Sequence, residues 1–369
     1  MLRFSNFFNL LFFLVVFATA YAQETNKISI DLSNDIVSPK SYVVHRSTNP
    51  IHIDGKAEEK DWQNAMYTTS FIDIEGIKTP KYDTKLKMLW DDTYLYIYAK
   101  LEEEHIWGTL KNRDTIIFYN NDFEIFIDPS NDTHNYGEIE INALGTVWDL
   151  LLDKPYRSGS KPNFHWNLNN LKTAIHIEGT LNNASDIDSF WAVEMAIPLK
   201  AFIELKDLPR IAPKNGEQWR INFSRVNWDF DLIENKYYRK KVNNKYLPEY
   251  NWVWSNQKVI NMHEPEKWGY IQFSTQSADK PDLFEQKDDV LLRQLAYALY
   301  RRISRGKLKT LLENNPGSII EITPILNKKS SNYKASFLKT YSGFNLVVEN
   351  TKTEITHIIR EDGYLKILK

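Results

Sequence analysis

Between Asn120 and Leu152 the chain reads NNDFEIFIDPSNDTHNYGEIEINALGTVWDLLL, and apolar positions alternate with polar ones in two runs. Phe123, Ile125 and Ile127 fall on one side of the first run and Glu124, Phe126 and Asp128 on the other. In the second run Ile139, Ile141 and Ala143 oppose Glu138, Glu140 and Asn142. A period of two is the mark of a strand with one face turned to a core. Similar alternation predicts strands over 84–90, 94–101, 191–197, 219–226 and 270–273, with turn signals between them such as Asp54-Gly55, Asp128-Pro129 and Asn215-Gly216. Many short strands with little helix predict a mainly β protein built on an antiparallel β-sandwich, with jelly-roll and immunoglobulin-like topologies both open. A short helix is expected over 56–65, with Trp62 turned inward, and a second after Pro198.

The pattern changes after Ser274. STQSADKP reads as a linker over 275–281. Beyond it Val290, Leu291, Leu295, Leu299 and Ile303 recur at helical spacing, and alternation returns in five short runs from Ser318 to Leu368. Residues 282–369 are therefore expected to form a small α+β tail, whose protein partner the sequence does not name. At the other end, a single Arg, an apolar run from Phe7 to Phe17 and the small residues Ala20-Tyr21-Ala22 predict a signal peptide over 1–22, followed by a polar leader over 23–41 and the sandwich over 42–274. The chain is thus expected to be exported, to the periplasm or beyond, with no membrane span.

Composition narrows the chemistry. With no cysteine there is neither a disulfide nor a thiol nucleophile, and a net charge of -2 with scattered basic residues gives no footprint for nucleic acid. Aromatic residues make up 14% of the chain, including 11 Trp and 20 Tyr. The polar faces of the two runs above mix carboxylates with an amide and lead into Trp148. A sugar needs that mixture, because its hydroxyls take paired hydrogen bonds while its flat C-H face stacks on a ring. No cofactor is expected. The acid-rich loop from Asp128 to Glu138 offers oxygens to a structural calcium, with Asp128 and Asp132 as candidates, but its irregular spacing suits a turn held by Asp and Asn side chains. His134 and His165 are isolated and predict no zinc site.

Several phrases together resemble the family 9 carbohydrate-binding modules and their bacterial relatives. These are IDGKAEEKDW at 53–62, LWDDTYLYIYAKL at 89–101, the stretch 120–157, WAVEMAIPL at 191–199, WRINFSRVNW at 219–228 and NWVWSNQKVINMHEPEKWGYIQF at 251–273. The resemblance implies a β-sandwich that takes an oligosaccharide or a polysaccharide end in a shallow aromatic slot. On matching positions it implies Glu124, Glu140, Asn142 and Arg225 as the residues that grip hydroxyls, although relatives that bind reducing ends often carry Arg where this chain has Glu140. Phe118 or Tyr119 matches one stacking ring. The second falls on Met262, which cannot stack, so Trp228 and Trp254 are the replacements. The expectation is a non-catalytic binding protein supporting carbohydrate catabolism. Two alternatives stay open: a glycoside hydrolase using a pair such as Glu138 and Glu140, and an envelope interaction module that binds no sugar.

Overall fold

The computed structural model describes residues 27–206, 210–327, 329–330 and 332–368. The signal-peptide reading lies outside the described residues. The chain opens with β1 (Lys27–Asp31) and β2 (Ser41–Arg46), then helix α1 (Lys60–Asn64) and β3 (Ile72–Asp73). Next come β4 (Thr84–Trp90), β5 (Tyr94–Glu102), β6 (Asp122–Asp128), β7 (Tyr136–Asn142) and β8 (Val147–Leu152). They are followed by β9 (Lys172–Glu178), β10 (Phe190–Pro198) and β11 (Gln218–Asn227). Two small hairpins, β12 (Phe230–Ile233) with β13 (Lys236–Arg239) and β14 (Lys241–Val242) with β15 (Lys245–Tyr246), precede β16 (Tyr250–Val253) and β17 (Gly269–Ser274).

The strands of the first part form one hydrogen-bonded path, β8-β7-β6-β11-β17-β2-β4-β5-β10-β9, with β16 and β3 branching from β11. Its pairs are antiparallel except where β2 runs parallel to both β17 and β4, and at that join the two layers of a β-sandwich meet. The alternation explains the layering. Phe123, Ile125 and Ile127 of β6, Ile139 and Ile141 of β7 and Ile221 and Phe223 of β11 enter one core with Leu86 and Met88 of β4, Ile97 of β5 and Val193 and Met195 of β10. Burial of apolar surface on this scale, at about 25 cal/mol per Å², is the dominant favourable contribution.

In the second part α2 (Val290–Ser304) lies on a sheet that includes β18 (Ile319–Leu326), β19 (Lys329–Ser330), β20 (Tyr333–Lys339), β21 (Phe344–Asn350), β22 (Thr356–Arg360) and β23 (Leu365–Leu368). Leu292, Leu295, Leu299 and Ile303 recur on one side of the helix and meet the alternate residues Phe337, Phe344, Leu346 and Val348. The residues expected to form a polar leader carry β1, which pairs in parallel with β18 at the edge of this sheet. The two parts also share a polar seam. Buried Glu266, just before β17, bonds Arg157 at 2.8 Å and also pairs with Arg301 of α2, while Tyr297 of α2 meets the Thr133 hydroxyl at 2.7 Å. Among the described residues no helix is long and apolar enough to cross a membrane.

Candidate functional site

The outward face of β6, β7 and β11 is where the polar half of the alternation gathers. Glu124 stands opposite Glu140, Asp122 opposite Asn142 and Phe126 opposite Glu138 across β6 and β7, while Ser224 of β11 stands opposite Glu124 on the other side. This face does not meet bulk water directly. The 3₁₀ turn Ile117–Tyr119, Ile74 after β3 and the segment from Glu249 to His263 rise around it and leave a hollow of about 220 Å³. Glu124, Glu138, Glu140 and Glu249 supply carboxylates to its lining, Asn251 and Asn261 supply amides, and Phe118, Phe126 and Met262 supply apolar surface.

Burial controls the electrostatics. It pushes Glu124 up to about 7, with Glu249 adding to the rise. Asp122, Glu138 and Glu140 are raised well above the ordinary carboxylate range, first by burial and then by neighbouring carboxylate charge, that of Glu124 acting on all three. Glu140 is held in place by the Phe118 backbone N–H, which donates to its Oε2 at 2.9 Å. His263, half-buried beside Arg157, is lowered to about 3 by desolvation and the neighbouring guanidinium, and is a neutral imidazole whose Nδ1 lies 2.9 Å from the Tyr136 hydroxyl.

The structure brings together three of the residues singled out from sequence. Glu124, Glu140 and Phe118 all line the hollow. Trp228 stands behind it: the indole is buried and its N–H donates to the Phe118 carbonyl at 2.7 Å, so it fixes the turn that carries Phe118. Tyr119, next in the chain, is 42% exposed and faces a neighbouring hollow of about 480 Å³ with Tyr238 and Tyr246. Arg239 stacks there on Tyr119 and Tyr246.

Three other candidates lie elsewhere, each for a physical reason. Arg225 shares the parity of Ile221 and Phe223, so it points inward. Its guanidinium bonds Glu103 at 2.6 Å and the Thr84 hydroxyl at 2.9 Å, packed on Tyr82 and Trp252. Trp254 is sealed in the core against Phe223 and lies over Gly269, where an added Cβ would meet the ring at 2.3 Å. Asn142 spends its amide on the following turn: it donates to the Leu110 carbonyl at 2.9 Å and accepts from the Leu144 and Thr146 N–H groups at 3.1 Å each. Asp128 and Asp132 form a turn of their own. Asp128 accepts from Asn131 and Thr133 N–H at 2.8 and 2.9 Å, and Asp132 accepts from His134 N–H at 2.8 Å.

Asp122, Asn251, Asn261 and His263 were missed. Asp122 extends the alternation of β6 by one step and was legible in that way. The other three come from an irregular stretch and a short strand, where no period marks a face.

A β-sandwich with a polar, ring-edged hollow on its outer face has the architecture of a small-ligand binding module. Residues 53–274 match the family described as carbohydrate family 9 binding domain-like, and the chain belongs to that family. A stretch of 87 residues is 32% identical to endo-1,4-beta-xylanase C of Paenibacillus barcinonensis; it takes in 23% of this chain and 7% of that enzyme. Among solved structures, the fold is similar to a family 9 carbohydrate-binding module from Caldicellulosiruptor kristjanssonii in complex with cellotriose, at 16% identity and a TM-score of 0.42, covering 67% of this chain and all of that one. The same module in complex with glucose aligns with the same identity and TM-score over 66% of this chain and all of that one.

Proposed function

We propose that this chain is an exported, non-catalytic protein that binds an oligosaccharide or polysaccharide end in the hollow over β6 and β7 and supports carbohydrate catabolism. Membership of a carbohydrate-binding family supports the ligand class. The observation that carries the site is the meeting of Glu124 and Glu140 with Phe118 around one open hollow. The carboxyl oxygens accept from sugar hydroxyls, the Asn251 and Asn261 amides both donate and accept, and the Phe118 ring offers an apolar edge to a C-H face. A hollow of about 220 Å³ suits one sugar unit, and a single such contact should bind weakly once ordering costs are met. Affinity electrophoresis of the mature chain against plant and algal polysaccharides tests the reading. Retardation by at least one glycan is expected, and migration unchanged by every glycan would contradict it.

One observation favours hydrolysis as a rival. Glu138 and Glu140 lie buried on the same face of β7 and are raised by burial and by neighbouring charge, the direction in which a general acid is tuned. Incubation with the same glycans followed by an assay for new reducing ends separates the two readings.

A further inference from the structure

Asp122, Glu124 and Glu140 each bring one carboxylate oxygen to a common point, with all three oxygens within 4.8 Å of one another and all three side chains buried. Calcium holds oxygens at about 2.3 to 2.6 Å, so two ligands on opposite sides of one ion are roughly 5 Å apart, and three oxygens this close can share an ion. A second observation points the same way: Asp122 Oδ2 is fully buried and has no hydrogen-bond partner among the described residues. Its other oxygen takes only a long bond, 3.3 Å, from the Val226 N–H. A buried carboxylate oxygen without a donor is costly unless something positive meets it. Glu124 and Glu140 line the hollow, where among the described residues no lysine or arginine is present to neutralise them.

From this geometry we infer that Asp122, Glu124 and Glu140 form a binding site for a hard divalent cation, calcium by preference, with its outward coordination positions open to the hollow. The donor set is all carboxylate oxygen, which selects calcium, magnesium or manganese over zinc or copper. Calcium fits best because it tolerates an irregular set and fills its six to eight positions with water or hydroxyl oxygens. The site differs in place from the Asp128 and Asp132 turn, whose oxygens are already engaged by backbone N–H groups. It stands independently of sugar binding, because the cation needs only the three carboxylates. The other titratable groups facing the hollow are Glu138, Glu249 and His263.

The test is calorimetric titration of calcium chloride into the full mature chain after chelator treatment, with thermal unfolding followed in parallel. One ion is expected to bind per chain and to raise the unfolding midpoint. Asp122→Asn and Glu140→Gln should each weaken binding by more than about tenfold, since affinity follows the count of charged ligands. The inference is overturned if calcium, magnesium and manganese chlorides all give neither heat nor a shifted midpoint. It is equally overturned if binding persists undiminished in both variants.

Discussion

Glu124 and Glu140 face each other directly across the antiparallel pair of β6 and β7, both buried beneath a hollow that, among the described residues, no lysine or arginine lines. Like charges in opposed positions on a sheet destabilise it, and burial enlarges the effect. A sequence shaped only for stability would place apolar residues there. The arrangement sacrifices stability for a face that accepts hydrogen bonds.

Stability should therefore fall as pH rises through the weakly acid range. Glu124 is raised to about 7 in the folded chain, against an ordinary value near 4.5, so between those values the folded state holds a proton that the unfolded state has released. Its contribution is fully present below about 4.5 and lost by about 7, on the order of 3 kcal/mol. Asp122, Glu138 and Glu140 are raised as well and add in the same direction. Urea unfolding with chelator present should show the Glu124→Gln variant gaining on the parent between pH 5 and pH 8. Parallel curves for the two proteins would refute the burial argument.

The seam between sandwich and tail should respond in the opposite sense. Glu266, fully buried between Arg157 and Arg301, is lowered to about 2 by the two guanidinium groups although burial alone would raise it. The stability it contributes is present above about 4.5 and is lost as pH falls toward 2. Glu266→Ala leaves Arg157 without its paired carboxylate and Arg301 with only Glu264, 3.5 Å away, and should cost on the order of 3 kcal/mol. Limited proteolysis near neutral pH should then cut the 275–281 segment faster than in the parent, and equal cutting rates would show that the remaining contacts, such as Tyr297 with Thr133 and Arg293 with the Asn131 carbonyl, suffice to hold the tail.

Trp254 should behave as a core residue. Trp254→Ala is expected to cost about 3 to 5 kcal/mol by chemical denaturation, and Gly269→Ala should also destabilise, because its new Cβ would press into the indole. Trp254→Phe, which keeps most of the packing, should leave ligand affinity within about twofold. A selective loss of affinity in that variant would return Trp254 to the binding surface.

Much of the sandwich was legible because alternation is a direct record of which face is buried. Phe123 through Asp128 and Glu138 through Asn142 follow it, and Glu124 and Glu140 were found by it. Arg225 was misplaced because a family match was followed where the alternation of Trp219, Ile221 and Phe223 already put position 225 on the inner face. Its charge is tolerated there because Glu103, from the end of β5, lies within hydrogen-bonding reach. Trp254 sits among polar neighbours in the chain, and only the fold reveals that its ring turns into the core. The apolar run of β8 shows no alternation, because both its faces are largely buried: Asp149 is sealed by Arg113 and the Leu168 N–H. The pairing of β1 with β18 joins residues about 290 positions apart, and no local pattern reports such a contact.

Whether a sugar sits against Glu124, Glu140 and Phe118 is decided by titration calorimetry with an oligosaccharide that retards the chain. The parent should bind one sugar per chain, while Glu124→Gln and Phe118→Ala, each folded by circular dichroism, should lose binding by about tenfold or more, the worth of one charged hydrogen bond or one stacked ring. Unchanged affinity in both variants would move the site off this hollow and contradict the account.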